Sequence, residues 1–216
     1  FNKVHTGIDC PVKRAVSPEV ICRLMTDQKQ LPEKLAFSRD LFVLLFLLRG
    51  MPFVDLAFLR RCDLQGNVIT YHRRKTSRKL TVVVGKEAME IIRRYMYAIP
   101  DSPYLFPIIQ NPGENEYGQY TRMLRLLNHR LTQVANTLGI RERLSTYVAR
   151  HTWATTALRQ NYNSSLICNA MGHSSVKVTE TYFQPYRDDE VNRMNRSLIT
   201  YILSKKKRGT DKNIRG

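Results

Sequence analysis

The sequence predicts a mainly helical α+β domain with a small antiparallel β-sheet inserted early in the chain. Three observations indicate this class. Several long segments carry apolar residues at helical spacing, and two short segments within residues 67–84 are rich in β-branched residues. In addition, 43% of the 216 residues are hydrophobic, a globular composition in a chain long enough for one sizeable core.

Three helices are predicted before the sheet, at about residues 17–25, 32–50 and 53–60. Ser17 is a suitable N-cap for the first helix, and Pro18 suits its first helical position. The second helix contains a run of eight apolar residues at 41–48, so we expect it to be buried on most sides.

The sheet is predicted as a hairpin with a basic tip. Its strands are expected at residues 67–72 and 80–84, and the segment RRKTSRK at residues 73–79 joins them. Further helices are predicted at 86–97 and over a long apolar stripe that ends at Gly139. Four prolines in the intervening segment, residues 100–113, argue against a helix there.

The ends of the chain differ from its middle. Residues 1–14 lack helical periodicity and begin with Phe1 rather than methionine, so they are interpreted as a linker from a missing N-terminal domain. Residues 188–203 predict an amphipathic helix, which either packs on its own domain or docks on a neighbouring protomer. A basic tail at 204–216 is expected to be flexible.

The composition restricts the partners and the compartment. A net charge of +17 indicates a polyanionic partner, because each neutralised phosphate releases counterions. The four cysteines form no CxxC pair, so neither a zinc site nor a disulfide framework is expected, and a reducing cytoplasm fits. No signal peptide is visible, and the longest apolar run is too short for a bilayer, so no membrane partner is expected.

The stretch 147–182 carries the candidate chemistry. Arg150 is expected to open a helix, His173 follows a glycine at a turn, and Tyr182 comes nine residues later. A cation, an imidazole and a phenol can break a phosphodiester with a protein nucleophile and without metal. A phenol has an ordinary pKa of about 10, so the tyrosine must lose its proton during the attack.

R-H-T at residues 150–152, G-H at residues 172–173, Tyr182 and the basic hairpin together resemble the tyrosine recombinase (phage integrase) family. The variant stretch YVARHTWAT is most similar to integrases of Bacteroides-type mobile elements. The resemblance implies a catalytic domain over residues 15–203, following a DNA-binding domain. It implies a site-specific recombinase that cleaves and rejoins duplex DNA through a 3′-phosphotyrosyl intermediate, without a cofactor or metal.

The resemblance also implies roles for individual residues. Tyr182 would be the nucleophile, Arg150 would clamp the scissile phosphate, His173 would assist phosphate binding and proton movement, and Lys75 would be the general acid. Residues expected to contact DNA are Arg73, Arg74, Lys79 and Arg49. The implied partners are double-stranded DNA, further protomers in a tetramer and an accessory DNA-bending protein, in the bacterial cytoplasm.

Two positions depart from the family pattern. Tyr147 occupies the usual histidine position three residues before Arg150, and Pro52 stands where the first arginine is expected. We expect another arginine to replace it, Arg78 first and Arg49 second. Three alternatives stay open: a non-catalytic DNA-binding protein of the same fold, an enzyme resembling type IB topoisomerases, and a generic RNA-binding protein suggested by charge alone.

Overall fold

The predicted class is confirmed by the computed structural model, which describes residues 15–181 and 192–200 and is mostly helical with a small antiparallel sheet. The chain divides into two units, residues 1–183 and 184–216. In the first unit the helices are α1 (Pro18–Thr26), α2 (Glu33–Leu47), α3 (Phe53–Ala57), α4 (Lys86–Tyr95), α5 (Glu116–Leu138), α6 (Thr146–Arg159), α7 (Ser164–Met171) and α8 (Val176–Glu180). The strands are β1 (Leu64–Gln65), β2 (Val68–His72) and β3 (Lys79–Val83).

Helix α2 is the centre of the core. Its apolar run surrounds the helix on most sides, and Leu41, Leu44 and Leu45 are fully buried. It packs against α1, α4, α5 and α6, so four other helices cover it. A helix that is apolar all round is stable only in such a position, because its surface must be removed from water.

The three strands form one antiparallel sheet in the order β1-β2-β3. In the hairpin, Tyr71 pairs with Leu80 and His72 with Lys79, and this register places residues 73–78 at the tip. Strand β1 was not predicted, because two residues are too few to show an alternating pattern.

Helix α6 is held at its start by two polar side chains. The Ser145 hydroxyl accepts a hydrogen bond from the Val148 amide, and Asn128 of α5 accepts one from the Thr146 amide at 3.0 Å. The prediction that Arg150 opens this helix is therefore wrong, since Arg150 lies in its second turn. Later in the same helix, Thr152 accepts a hydrogen bond from the Val16 amide and so holds the segment before α1 against α6.

Two predicted helix ends are also corrected. Helix α2 ends at Leu47 rather than Gly50, because Arg49 and Gly50 both adopt positive φ angles, 61° and 65°. Helix α3 ends at Ala57, and Arg60 instead forms an extended bridge with Tyr104.

In the second unit, residues 192–200 form a helix in which every residue is exposed. The ends of the helix predicted over 188–203 lie outside the described residues, as do the predicted linker 1–14 and tail 204–216. Within the described part of the chain, no helix is long and apolar enough to cross a membrane.

Candidate active site

The C-terminal end of α7 is the point at which the site is assembled. Gly172 follows the helix with a φ of 65°, and the His173 amide returns to the Cys168 carbonyl at 3.1 Å. This turn leaves the carbonyls of Met171, Gly172 and His173 available as acceptors. The carbonyl end of a helix carries partial negative charge, so it favours cations nearby.

Arg150 reaches this turn from α6. It is only 3% exposed. Its Nη1 donates to the Gly50 carbonyl, and its Nη2 donates to the Met171 carbonyl at 3.0 Å and to Nε2 of His173. Gly50 permits this approach, since a Cβ there would lie 3.2 Å from Cα of Arg150.

His173 is neutral in this environment. A guanidinium can only donate, so Nε2 of His173 accepts from Arg150, and Nδ1 therefore carries the proton and donates to Thr179 Oγ1 at 2.8 Å. Burial lowers the pKa of His173 to about 3, and the charges of Arg150, Arg73 and Lys75 act in the same direction. Arg150 thus contacts His173 directly, and the charge of Lys75 on the hairpin also acts on the imidazole.

The hairpin tip approaches the same turn. Arg78 donates from Nη1 to the His173 carbonyl at 3.1 Å and from Nη2 to the Asn169 side chain. Lys75 is exposed at the tip, and its positive charge helps to lower the pKa of His173. Arg49, the second candidate for the missing arginine, instead donates to the Thr81 carbonyl on β3 at 3.2 Å.

Arg73 differs from the other hairpin arginines. The sequence placed it only among the residues expected to contact DNA, whereas in the structure it is buried, with 7% exposure. Its Nε donates to Oδ2 of Asp55 at 3.3 Å, and its Nη1 donates to the carbonyls of Met171 at 3.0 Å and Gly172 at 2.9 Å. Sequence reasoning did not assign Arg73 to the catalytic cluster; the available signal was Asp55, a buried carboxylate that needs a cation.

Asp55 joins the hairpin to α3. Its Oδ2 accepts from Arg73, and its Oδ1 accepts from the Arg74 amide at 2.9 Å. Burial raises the pKa of Asp55 above its ordinary value, while the contacts with Arg74 and Arg73 oppose that rise. Pro52, three residues earlier, is the extended residue that precedes α3. Its side chain has no donor for a phosphate.

The remaining predicted residues lie around this cluster. Arg74 is exposed and its guanidinium carbon lies 3.8 Å from the Phe58 ring centre, while Lys79 is exposed at the start of β3. Tyr147, in the first turn of α6, is 45% exposed. Its ring packs edge-on against the His151 ring, with 4.5 Å between the two ring centres. Tyr182 lies outside the described residues.

No group of three or more His, Cys, Asp and Glu side chains that could hold a metal ion occurs in residues 15–181 and 192–200. The described cluster is instead a set of guanidinium groups around one neutral imidazole, held by carbonyls and one carboxylate. Such a set presents hydrogen-bond donors and positive charge, which suits a phosphate or another oxyanion.

Residues 14–188 match the phage integrase family, and the chain belongs to that family. No curated protein sequence matches the chain.

Solved recombinases share the fold. The chain is similar to XerA recombinase, with 20% identity and a TM-score of 0.63 over 91% of this chain and 66% of that one. It is also similar to a Tn1549 transposon integrase in complex with transposon right end DNA, with 14% identity and a TM-score of 0.59 over 86% of this chain and 66% of that one. It is similar as well to XerH site-specific recombinase bound to difH substrate, with 17% identity and a TM-score of 0.59 over 78% of this chain and 49% of that one. The chain therefore spans 49% to 66% of the length of these proteins.

Proposed function

We propose that this chain is the catalytic part of a site-specific tyrosine recombinase that cleaves and rejoins duplex DNA. The observation that carries the proposal is the cluster at the end of α7, where Arg150 contacts His173 and the charge of Lys75 acts on the same imidazole. These groups are the ones that a phosphodiester transfer requires around its phosphate. Membership of the phage integrase family supports the same function.

In the proposed reaction, the Tyr182 oxygen attacks the scissile phosphorus and the bond to the 5′ oxygen breaks. The phenol loses its proton, and the leaving oxygen gains one from Lys75, so the products are a 3′-phosphotyrosine and a 5′ hydroxyl. Arg150 stabilises the charge that develops on the non-bridging oxygens. Rejoining is the reverse reaction with the 5′ hydroxyl of another strand, so the energy of the bond is conserved.

His173 takes part in this reaction as a neutral group. Without DNA, its Nε2 accepts from Arg150. A phosphate oxygen offers Arg150 a charged acceptor, and charge-assisted hydrogen bonds are stronger than those to a neutral ring. The arrival of the phosphate therefore frees Nε2 of His173, and its negative charge offsets the positive charges that keep the ring neutral in the DNA-free site. Nε2 then takes the proton that Tyr182 loses during its attack.

DNA binding is proposed to depend mainly on phosphate contacts. Arg74, Lys75 and Lys79 are exposed on the hairpin beside the cluster. Lys and Arg side chains of this kind position a protein on the duplex, and base contacts supply the sequence preference.

Assembly is proposed to need other protomers. Met194, Leu198 and Ile199 are exposed on the helix at 192–200, and such apolar side chains are suited to a partner surface. We infer a tetramer on DNA, a DNA-binding domain joined through residues 1–14, a basic tail at 204–216 and an accessory DNA-bending protein. We also infer a Bacteroides-type subgroup, from Pro52, Tyr147 and YVARHTWAT. A location in the bacterial cytoplasm is inferred as well.

A nicked suicide substrate carrying the end of the protein's own mobile element tests this function. On a denaturing gel, wild type should form a covalent protein–DNA band, Tyr182→Phe should not, and Lys75→Ala should form it slowly. Tyr162→Phe removes the hydroxyl of another exposed tyrosine and should behave as wild type.

No covalent band, despite clear binding on a native gel, would instead establish the non-catalytic DNA-binding alternative that Pro52 favours. Relaxation of a supercoiled plasmid without exchange of partners would point to topoisomerase activity.

A further inference from the structure

Arg73 is an arginine that the proposed reaction has not yet used, although it is buried beside the other reacting groups. Three hydrogen bonds hold its guanidinium: one to Asp55 and two to the carbonyls of Met171 and Gly172. Those bonds occupy Nε and Nη1. A guanidinium fixed at two of its three nitrogens has a defined direction for the third.

The third nitrogen, Nη2, makes no hydrogen bond with any residue in the described ranges 15–181 and 192–200. It is not fully enclosed either, so a ligand can reach it. Arg73 therefore has one donor nitrogen ready for a ligand, while the rest of the side chain is enclosed. An oxyanion is the natural acceptor for a charged N–H donor in such a position.

One carbonyl oxygen links Arg73 to Arg150. The Met171 carbonyl accepts from Nη1 of Arg73 and from Nη2 of Arg150, each at 3.0 Å. The two guanidinium groups therefore lie on either side of a single oxygen, and the charges of both act on His173. A phosphate that reaches Arg150 is within the field of Arg73 as well.

The position of Asp55 supports the same assignment. Pro52, which stands where the first arginine is expected, precedes α3 directly, and Asp55 lies in the first turn of that helix. Asp55 is buried, and its ion-pair partner is Arg73. The Asp55 carboxylate thus lies beside the site and orients Arg73, the first residue after β2.

Arg78, the first candidate from the sequence, is engaged differently. Both of its terminal nitrogens bind protein acceptors, the His173 carbonyl and the Asn169 side chain. Arg78 therefore holds the turn that carries His173, which is a positioning role.

We propose that Arg73 replaces the arginine missing at Pro52 and that its Nη2 donates to a non-bridging oxygen of the scissile phosphate. This inference rests on the recombinase function proposed above. Arg73 supplies charge stabilisation only; the proton and bond changes remain those of Tyr182 and Lys75.

The test compares two suicide substrates under single-turnover conditions. One has the native scissile phosphate, and in the other a methylphosphonate replaces a charged non-bridging oxygen by a methyl group. Arg73→Lys should slow cleavage of the native substrate by about 10²- to 10³-fold. It should slow the uncharged substrate by less than about tenfold, because less charge then needs an arginine.

Arg61→Lys is the matched control. Arg61 also binds three acceptors with its guanidinium, the carbonyls of Met96, Ile99 and Pro100, but at the end of α4. Its replacement should leave the ratio of the two cleavage rates unchanged. Should Arg73→Lys fail to fold in a thermal melt, the isosteric Asp55→Asn, which weakens the orientation of Arg73, should show the same selective loss.

The outcomes separate the two proposals. A wild-type protein that forms no covalent product with either substrate would overturn the recombinase function. A wild-type protein that cleaves, with Arg73→Lys equally fast, would overturn only the role of Arg73. Equal slowing of both substrates would make Arg73 a structural residue and also overturn that role.

Discussion

At the scale of single residues, burial changes the protonation of two groups in opposite directions. It lowers the pKa of His173 and raises the pKa of Asp55, because burial penalises the charged form of each group. The arginines reinforce the first shift and oppose the second. The site therefore has a neutral imidazole among fixed positive charges, and the conjugate acid of His173 is not available near neutral pH.

This protonation predicts how stability depends on pH. The pKa of His173 is about 3 in the fold and 6.5 ordinarily, so between these values only the unfolded chain binds the proton. The contribution of the neutral His173 to the free energy of unfolding is therefore fully present above about pH 6.5. It is lost as the pH falls towards 3, at no more than about 1.4 kcal/mol per pH unit. Urea unfolding between pH 7.5 and 4.5 should show a steeper loss for wild type than for His173→Gln.

His129→Gln, which changes an exposed histidine on α5, should keep the wild-type slope. The raised pKa of Asp55 acts with the opposite sign, since it favours the folded state as the pH falls, and it is present in all three proteins. Equal slopes for wild type and His173→Gln would show that His173 is not held neutral.

At the scale of elements, the end of α7 meets the hairpin at Gly172, a residue without a side chain. An added Cβ at Gly172 would lie 2.7 Å from Cδ of Arg73 and 2.8 Å from Cδ1 of Leu80. The backbone there also has a positive φ, which glycine adopts without strain. This absence of a side chain lets the α7 carbonyls reach Arg73.

Gly172→Ala should therefore destabilise the protein more than Gly66→Ala. Both positions have positive φ, 65° and 59°, but a Cβ at Gly66 would meet nothing within 4 Å. Gly66→Ala should cost about 1–2 kcal/mol from backbone strain. Gly172→Ala should cost roughly 1–3 kcal/mol more from overpacking, measured by urea unfolding. Equal losses would mean that the hairpin moves freely away from α7.

At the scale of the whole molecule, the core is built on α2 and the chain carries a large positive charge. The core covers this helix, and the turn that follows it places the Gly50 carbonyl against Arg150. The net charge of +17 already counts every carboxylate against the cations, so this excess remains whichever ion pairs form. Most of the excess is therefore available to a polyanion.

This excess predicts strong salt dependence of DNA binding. The logarithm of the binding constant should fall linearly with the logarithm of salt concentration, and Lys79→Ala should reduce the slope by roughly 1. Lys34→Ala, an exposed lysine at the opposite end of α2 from Gly50, should leave the slope unchanged. Fluorescence anisotropy with a labelled duplex measures both, and an unchanged slope for Lys79→Ala would remove the hairpin from the DNA interface.

Local patterns predicted most of the fold. Helix α1 begins after Ser17, α5 ends at Gly139 and the strands β2 and β3 occur where β-branched residues predict them, because caps and periodicity act over a few residues. The ends of α2 and α3 were wrong, and β1 was missed. The end of α3 accompanies a contact with a distant segment, the bridge between Arg60 and Tyr104. Two consecutive positive φ angles end α2, and β1 is too short to show an alternating pattern.

By itself, the sequence determined the helical class, the basic hairpin, the family resemblance and the set of polar residues from which the candidate site is made. Only the tertiary structure decided how these residues divide between the surface and the interior. In the letters RRKTSRK, Arg73 and Arg74 look equivalent. The structure buries Arg73 beside Asp55 and the α7 carbonyls and exposes Arg74. Both residues lie in the turn after β2, where no regular alternation applies, so only the packing of the distant elements α3 and α7 against this turn decides which side chain is enclosed.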